Sequence, residues 1–148
     1  MLQEKSFDTY TDFDADATQL SVLAMRFFNS YRSNISVTFA ISEEDAKNNN
    51  YDFDEEKITF GVSHRFPFNG RHLKAKLNYE VRSRDYTKVT DETLKSEEDR
   101  DRFRLRLSTQ LTPSIEIEFE QDYKSRDANI AAASYASDLT AIRFKFSR

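Results

Sequence analysis

The feature that most constrains this chain is a two-residue alternation of apolar and charged side chains, repeated in one segment after another. Phe103, Leu105, Leu107, Thr109 and Leu111 share one parity; Arg102, Arg104, Arg106, Ser108 and Gln110 share the other. Ile115, Ile117, Phe119, Gln121 and Tyr123 alternate with Glu116, Glu118, Glu120, Asp122 and Lys124. Leu73, Ala75, Leu77, Tyr79 and Val81 alternate with Lys74, Lys76, Asn78, Glu80 and Arg82. Residues 58–66, 35–42 and 141–146 follow the same rule. Successive side chains of a strand point to opposite faces, so each segment predicts a strand with one apolar and one polar face. Residues 18–28 are apolar at both parities, which leaves their inward face open, and residues 3–13 give a weak strand signal.

The connections predict an order. Asn69-Gly70 is a hairpin turn, because both residues accept a positive φ. Thr112-Pro113-Ser114 and Asn29-Ser30 join two further pairs, while 43–52, 87–99 and 126–137 read as longer polar loops. Short and long connections alternate, so an up-and-down meander gathers the short turns at one end. A two-residue turn at 69–70 sets Phe66 opposite Leu73, Val62 opposite Leu77 and Phe60 opposite Tyr79. A three-residue loop at 112–114 sets Leu111 opposite Ile115, Leu107 opposite Phe119, Arg106 opposite Glu120 and Arg104 opposite Asp122. Apolar then meets apolar, and opposite charges meet on the other face. The reading is one all-β domain over 1–148: an antiparallel, up-and-down barrel of about eight strands at 3–13, 18–28, 31–42, 56–66, 71–86, 100–111, 115–125 and 138–147. Closure would leave no exposed edge.

Composition narrows the chemistry. Zero Cys excludes disulfide scaffolds, thiolate metal sites and cysteine nucleophiles. A net charge of −4 argues against a bulk nucleic-acid binder. Fourteen per cent aromatic residues separate the chain from disordered sequences of similar charge. No run of about 18 apolar residues exists for a membrane helix. Residues 1–7 lack the basic and apolar regions of a signal peptide, so an exported protein with this start would be a mature form or a piece of a longer chain.

Function turns on which face points outward. A soluble barrel would turn its apolar face inward around an apolar ligand, and this is the alternative reading. An outer-membrane barrel turns that face to lipid and fills its lumen with the polar one. Three features favour the membrane: apolar stripes about nine residues long, turns of unequal length at the two ends, and arginines set opposite carboxylates on the polar face.

A family resemblance joins this reading. Leu77–Arg84, the acidic stretch after it, Asp101–Leu107, Leu111-Thr112-Pro113, Tyr123–Ile130 and Ile142–Phe146 together resemble the C-terminal strands of Gram-negative outer-membrane β-barrels. They are most similar to β-barrel porins and to the barrel domain of surface-lipoprotein assembly modifiers. The resemblance covers about residues 71–148 and rests on loose patterns. It implies a cell-outer-membrane location, a structural or transport role, outer-membrane lipid as surroundings, and the barrel-assembly machinery as partner. Phe144 and Phe146 match the alternating aromatic pair of that machinery's recognition signal, with Ser147 and Arg148 extending past it. The resemblance also admits the chain as the C-terminal part of a larger barrel.

The candidate site is a lumenal charge network: Arg104, Arg106, Glu116, Glu118, Glu120, Asp122, Arg143 and Lys145. Its simplest role is a salt-bridged plug, and in a wider barrel it would line a pore. No catalytic, cofactor or metal residues are expected, and the chain is not read as an enzyme. Asp12, Asp14 and Asp16 lack the glycine and glutamate of a calcium loop, because Ala17 and Leu23 occupy those positions. Ser63 and His64 are adjacent on a strand and point to opposite faces, so they form no dyad. His64 belongs to the apolar face. Acidic residues in 43–57 and 87–99 would give a rim able to steer cations or a basic partner.

Overall fold

The structure, a computed structural model, describes residues 2–5, 15–46, 52–86, 89 and 96–146. The described chain forms one antiparallel sheet in sequence order: β1 (Leu2–Lys5), β2 (Ala15–Phe28), β3 (Ser33–Ala46), β4 (Phe53–Phe68), β5 (Arg71–Asp85), β6 (Glu97–Thr112), β7 (Ile115–Ala128) and β8 (Tyr135–Phe146). Seven strands are long, from the 12 residues of β8 to the 16 of β4 and β6, and β1 has four. One 3-10 turn, Ala131–Ala133, lies between β7 and β8.

The registers follow the turns. Phe66 pairs with Leu73, Val62 with Leu77 and Phe60 with Tyr79, across a turn in which Asn69 (φ 47°) and Gly70 (φ 72°) are both left-handed. Leu107 pairs with Phe119, Arg106 with Glu120 and Arg104 with Asp122. The 112–114 loop differs from expectation. Ile115 pairs with Thr112 rather than Leu111, and the register shifts between Gln110 and Thr112. Pro113-Ser114 makes a tighter turn, and Leu111 is the extra residue of a bulge. The first hairpin is also wider than Asn29-Ser30, since Asn29, Ser30 and Tyr31 are all left-handed and the Arg32 amide donates to the Asn29 carbonyl at 3.1 Å.

Three corrections concern extent. β3 runs to Ala46, β4 starts at Phe53 and β6 at Glu97, so much of the acidic sequence assigned to loops belongs to strands. β7 and β8 likewise take up half of 126–137. The first strand, expected at 3–13, is Leu2–Lys5, and residues 6–14 lie outside the described residues. The third correction is closure. β1 pairs only with Ala15–Thr18 of β2, and no ladder joins β1 to β8 among the described residues. Without that ladder the described sheet is open.

The sheet is a single layer with unequal faces. Ala40 is the sole buried hydrophobic residue among those described, whereas Asp52, Glu55, Glu98, Glu120 and Asp122 are all buried. A lone sheet shields a face only by curling toward it, so burial sets the charged face inside the curve. The ambiguous β2 is settled by pairing. Leu23, Met25 and Phe27 stand opposite Thr38, Ser36 and Asn34 on the polar face, while Leu20, Val22 and Phe28 join the apolar one.

An added Cβ at Gly70 meets nothing within 4 Å, so substitution there tests the backbone alone. Gly70→Ala is expected to lower the free energy of unfolding by about 1 kcal/mol, and Gly70→Asn by distinctly less. Urea titration of the two variants beside the wild type measures both.

Candidate functional site

The polar face carries two ion-pair groups, each built by neighbouring strands. Arg102 from β6 forks onto Asp122 of β7, with Nε at 2.8 Å and Nη2 at 2.5 Å from its two oxygens, and Arg104 reaches the same carboxylate at 3.3 Å. Arg106 donates to Glu120 at 2.5 Å. From β8, Arg143 reaches Glu118 at 3.3 Å and Glu120 at 3.2 Å, and Lys145 reaches Glu116 at 3.2 Å and Glu118 at 2.7 Å. All eight residues expected to form a lumenal network therefore share one face, divided between a group around Asp122 and a group running from Arg106 to Glu116. The carboxylates of β7 sit in a row, each held from β6 or β8.

Sequence reasoning missed a second group nearer the long connections. Glu55, on β4, accepts from Arg84 at 2.6 Å and lies 3.5 Å from Arg82. Glu98 pairs with Arg100 and lies 3.6 Å from Arg126. Aromatic rings back these cations: Arg84 lies 3.7 Å from the centre of the Phe53 ring and Arg126 4.6 Å from that of Tyr135. Glu55 and Glu98 stood in segments read as loops. Only their inward parity within longer strands would have revealed them.

Burial ranks these pairs. Glu98 is 1% exposed and Asp122 3%, whereas the Lys145 side chain is 52% exposed. A buried carboxylate shared by two guanidiniums cannot be removed without stranding charge, while an exposed Lys–Glu pair contributes little.

The opposite face is greasy and bare. Leu20 is 64% exposed, Phe144 56% and Phe146 78%. Phe144 and Phe146 pair with Ile117 and Ile115 at the short-turn end, on the apolar face. Phe60, Tyr79, Phe103 and Tyr123 form an aromatic row across four strands. Above this row the outer face turns acidic, with Asp101, Asp99 and Asp127, and the Tyr79 hydroxyl donates to Asp101 at 2.6 Å. Phe66, Phe68, Phe144 and Phe146 mark the other edge of the band. Six residues along β5 separate Tyr79 from Leu73, the partner of Phe66, a distance of about 20 Å.

The remaining candidates fall into place. His64 sits on the apolar face, where its Nδ1 is 2.6 Å from the Ser33 hydroxyl and its ring packs on Phe66. Asn29 donates to the same hydroxyl at 3.2 Å. Ser63 lies on the other face, opposite Lys76. Nothing further orients the His64 ring among the described residues, and the arrangement reads as a polar pair satisfied at the edge of an apolar surface. Asp16 is exposed on β2, and Asp12 and Asp14 lie outside the described residues. Among the described residues no group of His, Cys, Asp or Glu side chains could hold a metal ion, and no helix is long and apolar enough to cross a membrane. Comparison with protein-family models, curated proteins and solved structures finds no match to the chain.

Asp122→Asn should destabilise the fold by about 2 kcal/mol or more, because Arg102 and Arg104 both lose their anion. Glu116→Gln should change stability by less than about 1 kcal/mol. Parallel denaturant titrations check the ranking, and equal losses would contradict it.

Proposed function

We propose that this chain forms the wall of a transmembrane β-barrel of the bacterial outer membrane, with its apolar face to lipid and its charged face to the lumen, in a structural or porin-like transport role. One observation carries the reading. The buried carboxylates Glu55, Glu98, Glu120 and Asp122 lie on the face that alternation makes charged, and most of the exposed large hydrophobic side chains lie on the face it makes apolar. In water this arrangement is unfavourable twice over. A soluble monomer rarely leaves more than a few hundred Å² of contiguous apolar surface uncovered, and it has no reason to bury carboxylates. In a bilayer both features are required.

Supporting details agree with this assignment. The apolar band is bounded by aromatic rows, as barrels are at the two membrane interfaces, and above one row the outer face becomes acidic. Strands of 12–16 residues exceed the roughly 9–11 that a tilted strand needs to cross. Arg26 lies on the outer face near the short-turn end beside Phe28, 5.4 Å from its ring centre, where a long cationic side chain reaches headgroups. A soluble barrel with an apolar ligand inside would need the inverse arrangement of faces.

Hydrocarbon offers no hydrogen bonds, so the free edges of β2 and β8 must be paired in the membrane. The reading therefore includes closure of the barrel, by strands beyond those described, and assembly through the barrel-assembly machinery with Phe144 and Phe146 as the signal.

Leu107→Arg should prevent membrane assembly, since an arginine facing mid-bilayer costs about 2–4 kcal/mol. Thr59→Arg, on the charged face opposite Glu80, should be tolerated. Fractionation of expressing cells and heat-modifiable gel mobility read the difference. A monodisperse wild-type protein in detergent-free buffer would remove the proposal.

A further inference from the structure

The charges of the polar face are not evenly matched. Toward the long connections and along β7, arginines meet carboxylates. At the short-turn end of β4 and β5 they do not. Arg65 pairs directly with Lys74, and Lys76 stands between Ser63 on one side and Arg106 on the other. Among the described residues no carboxylate lies within 4.0 Å of Arg65, Lys74 or Lys76. These side chains border a hollow of about 340 Å³, with Arg32 and Arg106 completing its cationic wall. No Asp or Glu lines it, and the uncharged polar groups there, such as Asn78, can donate hydrogen bonds. Of the five cations, only Arg106 has a carboxylate partner among the described residues, Glu120.

Like charges set directly opposite on neighbouring strands destabilise a sheet. Here such a pair adjoins further cations, Lys76 and Arg106, on the same face. The nearest carboxylate, Glu116, lines the adjoining hollow with Arg65 and Lys74, and Lys145 already holds it. Gly61 lies between Ser36 and Asn78 in the register, and a Cβ there would approach the Ser36 hydroxyl to 2.5 Å, so this part of the wall is closely packed. A small-molecule site commonly occupies about 300 Å³ or more.

We infer that this hollow, walled by Arg32, Arg65, Lys74, Lys76 and Arg106, binds a soluble multivalent oxyanion of the phosphate type. Arg65 and Arg106 supply planar donor forks for its oxygens, and Lys74 and Lys76 supply point charges from the neighbouring strand. The anion replaces the counter-charge that the fold omits. Because the hollow opens on the face opposite the apolar one, the ligand is a solute and not a lipid headgroup. The inference rests on the polar face alone and holds in whatever medium the apolar face meets.

The test is calorimetric titration of inorganic pyrophosphate into the folded wild-type protein in zwitterionic micelles, or in plain buffer if the protein fractionates as soluble. One site is expected, weakening as salt rises. Lys74→Gln with Lys76→Gln should weaken binding about tenfold or more. The charge-matched pair Lys57→Gln with Lys124→Gln, elsewhere on the polar face, should stay within about twofold of wild type. Circular dichroism identifies folded variants. If the lysine pair does not fold, Arg65→Gln replaces it, with the same direction expected. Absence of binding to folded wild type, or equal weakening by both lysine pairs, overturns the inference. So does loss of pyrophosphate binding when the micelles contain phosphatidylglycerol, which would assign the hollow to a headgroup. Fractionation decides the membrane reading separately, so the two can fail independently.

Discussion

A single layer of sheet has no second layer to cover it, and every other property of this chain follows from that constraint. Each face must be stable against whatever it meets. The charged face solves the problem internally. Carboxylates of β7 are held by arginines of β6 and by Arg143 and Lys145 of β8, so the strands are tied side chain to side chain as well as through the backbone. The apolar face has no internal solution, because no element of the described chain packs on it. Something outside must cover that face, and in the proposed reading hydrocarbon does so.

The parts of the fold legible in sequence are those lying within the apolar band. There one parity is greasy and the other charged, so strand existence, facing and register could all be read, and pairings such as Phe60 with Tyr79 and Arg106 with Glu120 hold. Beyond the band the signal disappears for a physical reason. Where β3, β4, β6 and β7 continue past the aromatic row, both faces are polar: Glu55 points in and Glu56 out, Glu98 in and Asp99 out. Alternation between two polar classes looks like a loop. The inward group around Glu55 and Glu98 was lost with those strand ends. The Leu111 bulge was invisible because turn length fixes register only when the ladder is regular.

Residue choice within the charged face also follows its burial. The densest contacts use arginine, whose planar fork meets two carboxylate oxygens at once, as Arg102 does on Asp122. Lysine appears at the margin, as Lys145 does, or in the unmatched hollow at Lys74 and Lys76. Its compact charge and flexible stem suit a position where the partner comes and goes. The face is thus divided into a part whose charges are spent on one another and a part whose charges remain available.

That division bears on what a closed barrel would do. If every inward charge were paired, the interior would be a plug, and its network would serve stability alone. The unmatched cations lie at the end where the turns are short and the connections add least to cover the opening. Glu116 and Glu118 lie at the same end on β7, where Lys145 and Arg143 hold them, so the unmatched cations occupy the β4–β5 side of that end. The same strands that hold the wall together by matching charge therefore create, where matching stops, the one place on the polar face suited to a transient ligand.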